Sequence, residues 1–221
     1  MLERYLQAVR TDDPGAEEPA ATRERLKIHF PPGATRRMTQ LGLLVGACLD
    51  ALTPTADDTL VYATGFGESR ALEAYLDSFP TPSPTLFQTS IHPSGAQQVL
   101  IGRHRPLREF FPLSGGPQLP AQALLTALLA PSARVLLCGG EERATWLTAR
   151  GVASERTFAF ALALTATPGP APLGRITLAS LVTPSGPAGP LDLSTFFDLL
   201  HLRRPFAGVV SHGQHLELSW T

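Results

Sequence analysis

The sequence lacks the features that mark several large classes of proteins. No apolar run approaches the ~20 residues of a membrane-spanning helix, so we expect no membrane span. The first residues, Met1 to Tyr5, contain no apolar segment like that of a signal peptide. The formal net charge is −1 over 221 residues, which gives no general attraction to nucleic acid or to an anionic membrane. These absences favour a globular protein whose partners are neither nucleic acids nor membranes.

Cysteine is also scarce, since Cys48 and Cys138 are the only two and both lie inside apolar runs. Neither has a second cysteine or a histidine at metal-ligand spacing, so we predict two buried thiols and no metal site. His212 and His215 are three residues apart, and on a strand they would point to opposite faces. With no signal segment and no cysteine framework, we expect a reduced, cytoplasmic protein without a cofactor.

Apolar periodicity predicts strands and helices that alternate over most of the chain. We predict strands at 26–30, 59–64, 107–111, 133–138, 158–164, 174–182 and 214–220, helices at 35–52, 69–79, 91–102 and 117–130, a short helix capped by Asp192 or Ser194, and an ordered loop at 80–90. This order predicts an α/β fold in which helices cover both faces of one mixed sheet. We expect a single domain over 1–221, with a C-terminal extension at 183–221 that opens on a Pro- and Gly-rich linker at 184–190.

The apolar residues from Leu2 to Val9 have helical spacing. We therefore predict a short helix that either docks on the body or forms a mobile arm within residues 1–25. Near the other end of the chain, the strands at 158–164 and 174–182 are expected to be neighbours joined by a long hairpin.

Ser114 offers candidate chemistry, because it lies in the turn 113–116 before a predicted helix. A serine at a helix N-terminus can act as a nucleophile whose oxyanion is stabilised by backbone N–H groups. None of the six histidines stands at a known spacing from it, and the Gly-x-Ser-x-Gly elbow is absent. A small serine acyl hydrolase or acyltransferase is therefore one hypothesis, and a structural serine in a Gly-rich turn is the other.

Two further polar motifs receive structural interpretations. The motif at 65–67, Gly-Phe-Gly, lacks the third glycine of a dinucleotide site, and Glu68 beside it would repel an anion. We predict a tight strand-to-helix turn there. Glu141 and Glu142 follow the strand at 133–138. They could be a paired carboxylate, but we expect either a strand-end pair in water or a helix cap.

The central segment also resembles a known family. Ser83-Pro84-Thr85-Leu86-Phe87, followed by a helix, is similar to a Ser-Pro-x-x-Phe loop and helix; Leu113-Ser114-Gly115-Gly116 lies where the family has an Ala-Cys-Ser-Ser nucleophile turn; and Gly139-Gly140 resembles its Ala-Gly-Gly strand end. The family is the β-ketoacyl synthases, and the resemblance implies half of a thiolase-like ketosynthase fold. From 37 to 220 the chain is similar to the short chain length factors found with aryl polyene and fatty-acid-type biosynthesis.

The departures from this family imply a subunit that is not an enzyme by itself. Ser114 stands where a condensing enzyme has its cysteine, and the sequence ends before the half that supplies two catalytic histidines. The resemblance therefore implies pairing with a full-length ketosynthase in polyketide or fatty-acid-type biosynthesis, with only indirect contact to the acyl carrier protein. The implied interface or acyl-tunnel residues, whose bulk would limit chain length, are Phe87, Gln88, Thr89, Ile91, His92, Phe111 and Ser114.

Three hypotheses thus remain open. The chain is a chain length factor in a heterodimer, a serine hydrolase or acyltransferase that uses Ser114, or a stand-alone thiolase-like scaffold that forms a homodimer. A stable complex with a ketosynthase would favour the first. Acyl-ester turnover that Ser114→Ala abolishes would favour the second, and dimerisation without a partner would favour the third.

Overall fold

The computed structural model describes residues 1–91, 93–180, 191–211 and 213–221. The predicted linker at 184–190, the end of the strand predicted at 174–182, and the residues His92 and His212 lie outside the described residues. The described strands are β1 (Leu2–Asp12), β2 (Thr59–Thr64), β3 (Glu109–Ser114), β4 (Arg134–Glu141), β5 (Phe158–Thr165), β6 (Gly174–Ser180), β7 (Phe206–Ser211) and β8 (Gln214–Trp220). The α-helices are α1 (Pro19–Leu26), α2 (Gln40–Asp50), α3 (Ser69–Asp77), α4 (Pro84–Ser90), α5 (Ser94–Gly102), α6 (Leu119–Leu129), α7 (Trp146–Ala149) and α8 (Leu193–His201), and Lys27–His29 and Ala34–Arg37 form 3-10 helices.

The described strands form one mixed sheet in the order β3-β2-β4-β5-β1-β6-β8-β7. β2 is parallel to both β3 and β4, whereas all the other pairings in the sheet are antiparallel. β3 and β7 are therefore its two edges. The predicted mixed α/β sheet is confirmed.

Helices cover both faces of the sheet, as predicted. α6 and α8 pack on one face, and α2 and α5 pack on the other. The side chains of β5 alternate between the two faces of the sheet. Phe158 and Phe160 point towards α6 and α8, whereas the smaller Ala159 and Ala161 point towards α2. The alanines leave room for α2 to approach the sheet closely.

Several local predictions are confirmed because strong local signals specify them. The strand at 59–64 is β2, and all six of its residues are buried, as expected of an internal parallel strand. The helix predicted at 35–52 contains α2, and its N-cap is Thr39, whose hydroxyl accepts from the Gly42 N–H at 2.9 Å. Asp192 caps α8 by accepting from the Thr195 N–H at 2.6 Å. Both cysteines are buried and free.

The predicted helix at the amino terminus is wrong, because these residues form β1 in the interior of the sheet, between β5 and β6. The pairing register of β1 shifts between Leu6 and Ala8, which marks a bulge. The extra residue lets Leu6 and Val9 pack on the same face, so their three-residue spacing imitates a helix. Residues 1–25 thus contain an internal strand and α1 instead of a loose arm. The strands β5 and β6 are likewise not neighbours, because β1 separates them.

Two other segments also differ from prediction. The strand predicted at 26–30 is the end of α1 and a 3-10 helix, because Leu26 and Phe30 are buried while Ile28 is 78% exposed. Burial at i and i+4 is a helical pattern. The loop predicted at 80–90 contains α4, which Ser83 caps by accepting from the Leu86 N–H at 3.4 Å. The strand β7 and the short helix α7 have no counterpart in the predicted elements.

The glycine pair at the end of β4 is required by close strand packing. A Cβ at Gly139 would lie 2.0 Å from the Ala63 carbonyl oxygen on β2. We expect Gly139→Ala to lower the free energy of unfolding by about 1–3 kcal/mol or more, because the strands must separate. Urea denaturation measures the change. Gly116→Ala is the matched control, since a Cβ there meets no atom within 4 Å, and equal stability of the two variants would contradict the prediction.

Candidate functional site

The carboxyl ends of the three parallel strands meet at one edge of the sheet, where open α/β sheets usually bind ligands. Gly65 follows β2, Ser114 is the last residue of β3, and Glu141 is the last residue of β4. A cavity of about 410 Å³ opens beside them, and it reaches Leu119 of α6 and Leu193 of α8. This edge of the sheet is the candidate site.

Glu141 is the main polar group of the cavity wall, and only 4% of it is exposed. Its carboxylate accepts hydrogen bonds from the Gly65 N–H at 2.6 Å, the Phe66 N–H at 3.3 Å and the Thr64 hydroxyl at 3.4 Å. Burial raises the pKa of Glu141 to about 7, and these three donors offset only part of the cost of removing the charge from water. The prediction of a strand-end pair in water is therefore wrong.

Glu142 is a helix cap, which is the other predicted alternative. Its carboxylate accepts from the Leu41 N–H at 3.3 Å and from the Arg70 N–H at 3.2 Å, in the first turns of α2 and α3. The side chain is fully buried, and burial raises its pKa. No local sequence signal shows that Glu142 is buried, because its two backbone donors lie 72 and 101 residues away along the chain.

The motif at 65–67 is a strand-to-helix turn, as predicted. Glu141 occupies the N–H groups of Gly65 and Phe66, which a phosphate would need. Glu73, on the following helix, accepts from the N–H groups of Thr145 and Leu147 at the start of α7. The carboxylates near this edge thus fill backbone anion sites that would otherwise be available to a ligand.

Ser114 is the last residue of β3, so the strand includes the first two residues of the predicted turn at 113–116. It is exposed, and its hydroxyl donates to the Gly65 carbonyl at 3.4 Å. Among the hydrogen bonds of the described residues, none links this hydroxyl to a histidine or a carboxylate. The geometry therefore gives Ser114 no hydrogen-bonded base.

The other predicted interface or tunnel residues lie on two elements. Phe87 is half-exposed on α4, where its ring lies 5.4 Å from Tyr75, which also contacts Phe79. Gln88 and Ile91 are exposed in the same region, and the Thr89 hydroxyl donates to the Leu86 carbonyl at 2.9 Å. Phe111 lies on the edge strand β3 and is 38% exposed. His92 is outside the described residues, and the role of this set stays a prediction.

Neither metal binding nor membrane insertion finds support in the described parts of the chain. Across 1–91, 93–180, 191–211 and 213–221, no group of three or more His, Cys, Asp or Glu side chains could hold a metal ion. None of the helices in these ranges has the length and apolar character needed to cross a membrane.

Solved structures define the class of this fold as that of the thiolase-like ketosynthases. A β-ketoacyl synthase from Burkholderia phymatum STM815 matches 86% of this chain and 57% of its own, with 16% identity and a TM-score of 0.51. The chain therefore corresponds to about half of that ketosynthase, as predicted. No family model matches the sequence, and no curated protein matches it.

Within this class, the likeness extends to structures of ketosynthases together with chain length factors. The structure of a ketosynthase (ApeO) in complex with its chain length factor (ApeC) from Xenorhabdus doucetiae contains a chain that matches at a TM-score of 0.68 and 21% identity, over 99% of this chain and 100% of its own. The ishigamide ketosynthase/chain length factor matches 82% of this chain and 68% of its own, with 13% identity and a TM-score of 0.54. At these identities the likeness establishes the fold, and the predicted resemblance is confirmed at that level.

The raised pKa of Glu141 predicts a pH dependence of stability. Because the pKa rises from 4.5 to about 7 on folding, the folded state binds the proton more tightly than the unfolded state. The contribution of Glu141 to the free energy of unfolding should thus be greatest below pH 4.5 and fall by about 3 kcal/mol as the pH rises to about 7. In Glu141→Gln this decrease should disappear, because the amide does not titrate, so the free energy of unfolding of the variant relative to wild type should rise with pH.

Urea denaturation at a series of pH values from 4.5 to 8 measures this difference. Glu155→Gln is the control, because Glu155 is an exposed glutamate that lies outside this cavity. It should keep the pH profile of the wild type. If the pH profile of Glu141→Gln runs parallel to that of the wild type, the pH dependence does not come from the raised pKa of Glu141.

Proposed function

We propose that this chain is a non-catalytic, ketosynthase-like subunit that pairs with an active ketosynthase and limits acyl chain length in polyketide or fatty-acid-type biosynthesis. The observation that carries the proposal is that the Ser114 hydroxyl bonds to the Gly65 carbonyl. The resemblance assigns Ser114 to the nucleophile position, and in the described part of the chain no base is hydrogen-bonded to its hydroxyl; the chain also matches only 57% of a ketosynthase. A condensing reaction needs an activated nucleophile, so this half-fold is better suited to pairing than to catalysis.

The edge strand β3 supports pairing with another protein. On the described part of the chain β3 pairs only with β2, so its outer edge presents unpaired backbone groups. Phe111 is partly exposed on this strand, and Phe87 and Ile91 are half-exposed apolar residues on and after α4. Exposed apolar side chains beside an open sheet edge are typical of an interaction surface.

The likeness to solved complexes supports a ketosynthase as the partner. The ApeO–ApeC structure is described as a ketosynthase with its chain length factor, and a chain of that complex matches this one over its whole length. By analogy, we propose a heterodimer in which this subunit contacts the acyl carrier protein only indirectly. A homodimer is the alternative assembly, and aryl polyene biosynthesis is one setting in which the ketosynthase would act.

The proposed heterodimer predicts a stable complex on co-purification. We expect this chain, expressed with the ketosynthase encoded nearest to it, to elute as a one-to-one complex in size exclusion with light scattering. Phe111→Asp should abolish the complex, because a carboxylate would be buried without a partner at the joined strands. Leu202→Asp is the control, since Leu202 is also an apolar residue, 51% exposed, but it follows α8 and is not part of β3.

Either of two outcomes would overturn the proposal. The chain elutes as a monomer or homodimer in the presence of the ketosynthase, or Phe111→Asp and Leu202→Asp weaken the complex equally. Hydrolysis of acyl esters by the purified chain, lost in Ser114→Ala, would support the serine enzyme instead.

The proposed steric limit predicts longer products from a smaller side chain. Phe87→Ala in the co-expressed pair should shift the acyl products to greater length, because removing the ring leaves space for further methylene groups. Mass spectrometry of the products measures the shift, with Leu202→Ala as the control. If Phe87→Ala leaves the distribution of product lengths unchanged, Phe87 does not limit the acyl chain length.

A further inference from the structure

A second cavity, of about 510 Å³, lies between the segment 15–18 before α1, the starts of α2 and α3, and the segment that follows β4. Among the described residues, none lines both this cavity and the one beside Ser114. Its volume is within the range of about 300–1,000 Å³ that is typical of small-ligand pockets. Of the described side chains in its wall, only those of Ala16 and Ala144 are apolar. This lining favours a polar ligand.

Backbone N–H groups at this cavity already have acceptors within the protein. The Arg70 N–H, in the first turn of α3, donates to Glu142 at 3.2 Å. The Thr145 N–H, at the start of α7, donates to Glu73 at 3.1 Å. A ligand would therefore be recognised by the side chains of the wall, and the helix N-termini would not be its binding groups.

Two buried side chains of the wall have hydrogen-bonding capacity that the described residues do not use. Gln40 is 3% exposed, and its Nε2 donates to the Glu17 carbonyl at 2.9 Å and to the Thr22 hydroxyl at 2.8 Å, but no described residue donates to its Oε1. Thr157 is 8% exposed, and its hydroxyl accepts from the Arg143 N–H at 3.0 Å without donating to any described residue. Buried polar groups usually have partners. The cavity thus offers a ligand one fixed acceptor and one fixed donor.

Some charged side chains of the wall are neutralised within the protein. Arg156 donates to the carboxylates of Asp13 and Asp198. Glu17 accepts from Arg25. These groups hold the wall together, and they are not expected to bind a ligand.

Four other charged side chains of the wall, two of each sign, do not pair with one another. Arg143, Glu18 and Glu155 are exposed, and no side-chain hydrogen bond or ion pair joins them to another described residue. Arg70 donates its Nε–H to the Arg143 carbonyl at 2.9 Å, and its other guanidinium N–H groups have no acceptor among the described residues. The cavity therefore presents positive and negative groups at the same time.

We propose that this cavity binds a small zwitterion, namely an amino acid or a short peptide. Its carboxylate would bind Arg70 and Arg143, and its ammonium group would bind between Glu18 and Glu155. The buried amide oxygen and hydroxyl of the wall would bond to an N–H and an oxygen of the same ligand. A ligand of one sign would be attracted by one pair of side chains and repelled by the other. This site does not depend on the proposed pairing with a ketosynthase.

Three related probes test the need for both charges. Glycylglycine is titrated into the full chain by isothermal titration calorimetry at pH 6.5, below the pKa of an α-amino group, which is about 7.7–8.0. N-acetylglycylglycine lacks the ammonium group, and glycylglycinamide lacks the carboxylate. We expect both to bind at least tenfold more weakly than glycylglycine, because each leaves one pair of charged side chains without a partner.

Two charge-removing variants assign the ends of the ligand. Arg143→Gln should weaken glycylglycine binding at least tenfold, but it should not weaken binding of glycylglycinamide. Glu155→Gln should weaken glycylglycine binding at least threefold, since Glu18 remains, but it should not weaken binding of N-acetylglycylglycine. Arg108→Gln and Glu217→Gln are the controls, because both residues are exposed and neither lines this cavity.

Three results would each overturn the zwitterion site. Glycylglycine does not bind, the three probes bind equally, or Arg143→Gln and Glu155→Gln bind glycylglycine as their controls do. The replaced side chains are exposed and make no side-chain hydrogen bonds to the described residues, so the variants should keep the wild-type fold, which circular dichroism checks. Co-purification with a ketosynthase tests the proposed function separately, so either proposal can fail while the other holds.

Discussion

The burial of two consecutive carboxylates, Glu141 and Glu142, is the constraint on which the structure at the carboxyl ends of the parallel strands depends. An unpaired buried charge is strongly unfavourable, so Glu141 and Glu142 need donors from elsewhere in the chain. Glu141 takes them from the turn after β2, and Glu142 takes them from the first turns of α2 and α3. One dipeptide thus joins β4 to two helices and to the turn after β2. The helix dipoles favour the negative charge of Glu142 at that position.

The same carboxylates determine what this edge can bind. Enzymes with open α/β sheets use backbone N–H groups at this edge to hold anionic substrates or developing negative charge. In this chain Glu141 occupies two of those groups, and Ser114 donates its hydroxyl to a carbonyl. What remains at the edge is an apolar cavity with a negative rim. The polar groups at the carboxyl ends of these strands thus bond to one another and stabilise the fold.

The predictable parts of the fold are those that local sequence specifies. A continuous apolar run defines β2, and an acidic N-cap followed by Phe196 and Phe197 defines α8. β1 was not predictable, because its bulge gives a strand the spacing of a helix. The burial of Glu141 was also hidden, since its donors follow a strand that is distant in sequence. At the site, Ser114 was found through its place in a Gly-rich segment before a predicted helix, whereas the cavity depends on how α6 and α8 meet the sheet.

The interior position of β1 has a consequence for the order in which the protein folds. β1 is synthesised long before its two neighbours, β5 and β6, and Leu2 pairs with Leu178. Contacts between such distant residues form slowly, because a long loop must close before they contribute. During synthesis the strand therefore has both edges unpaired while most of the chain is made. The two pairings of β1 are thus complete only after β6 has been translated.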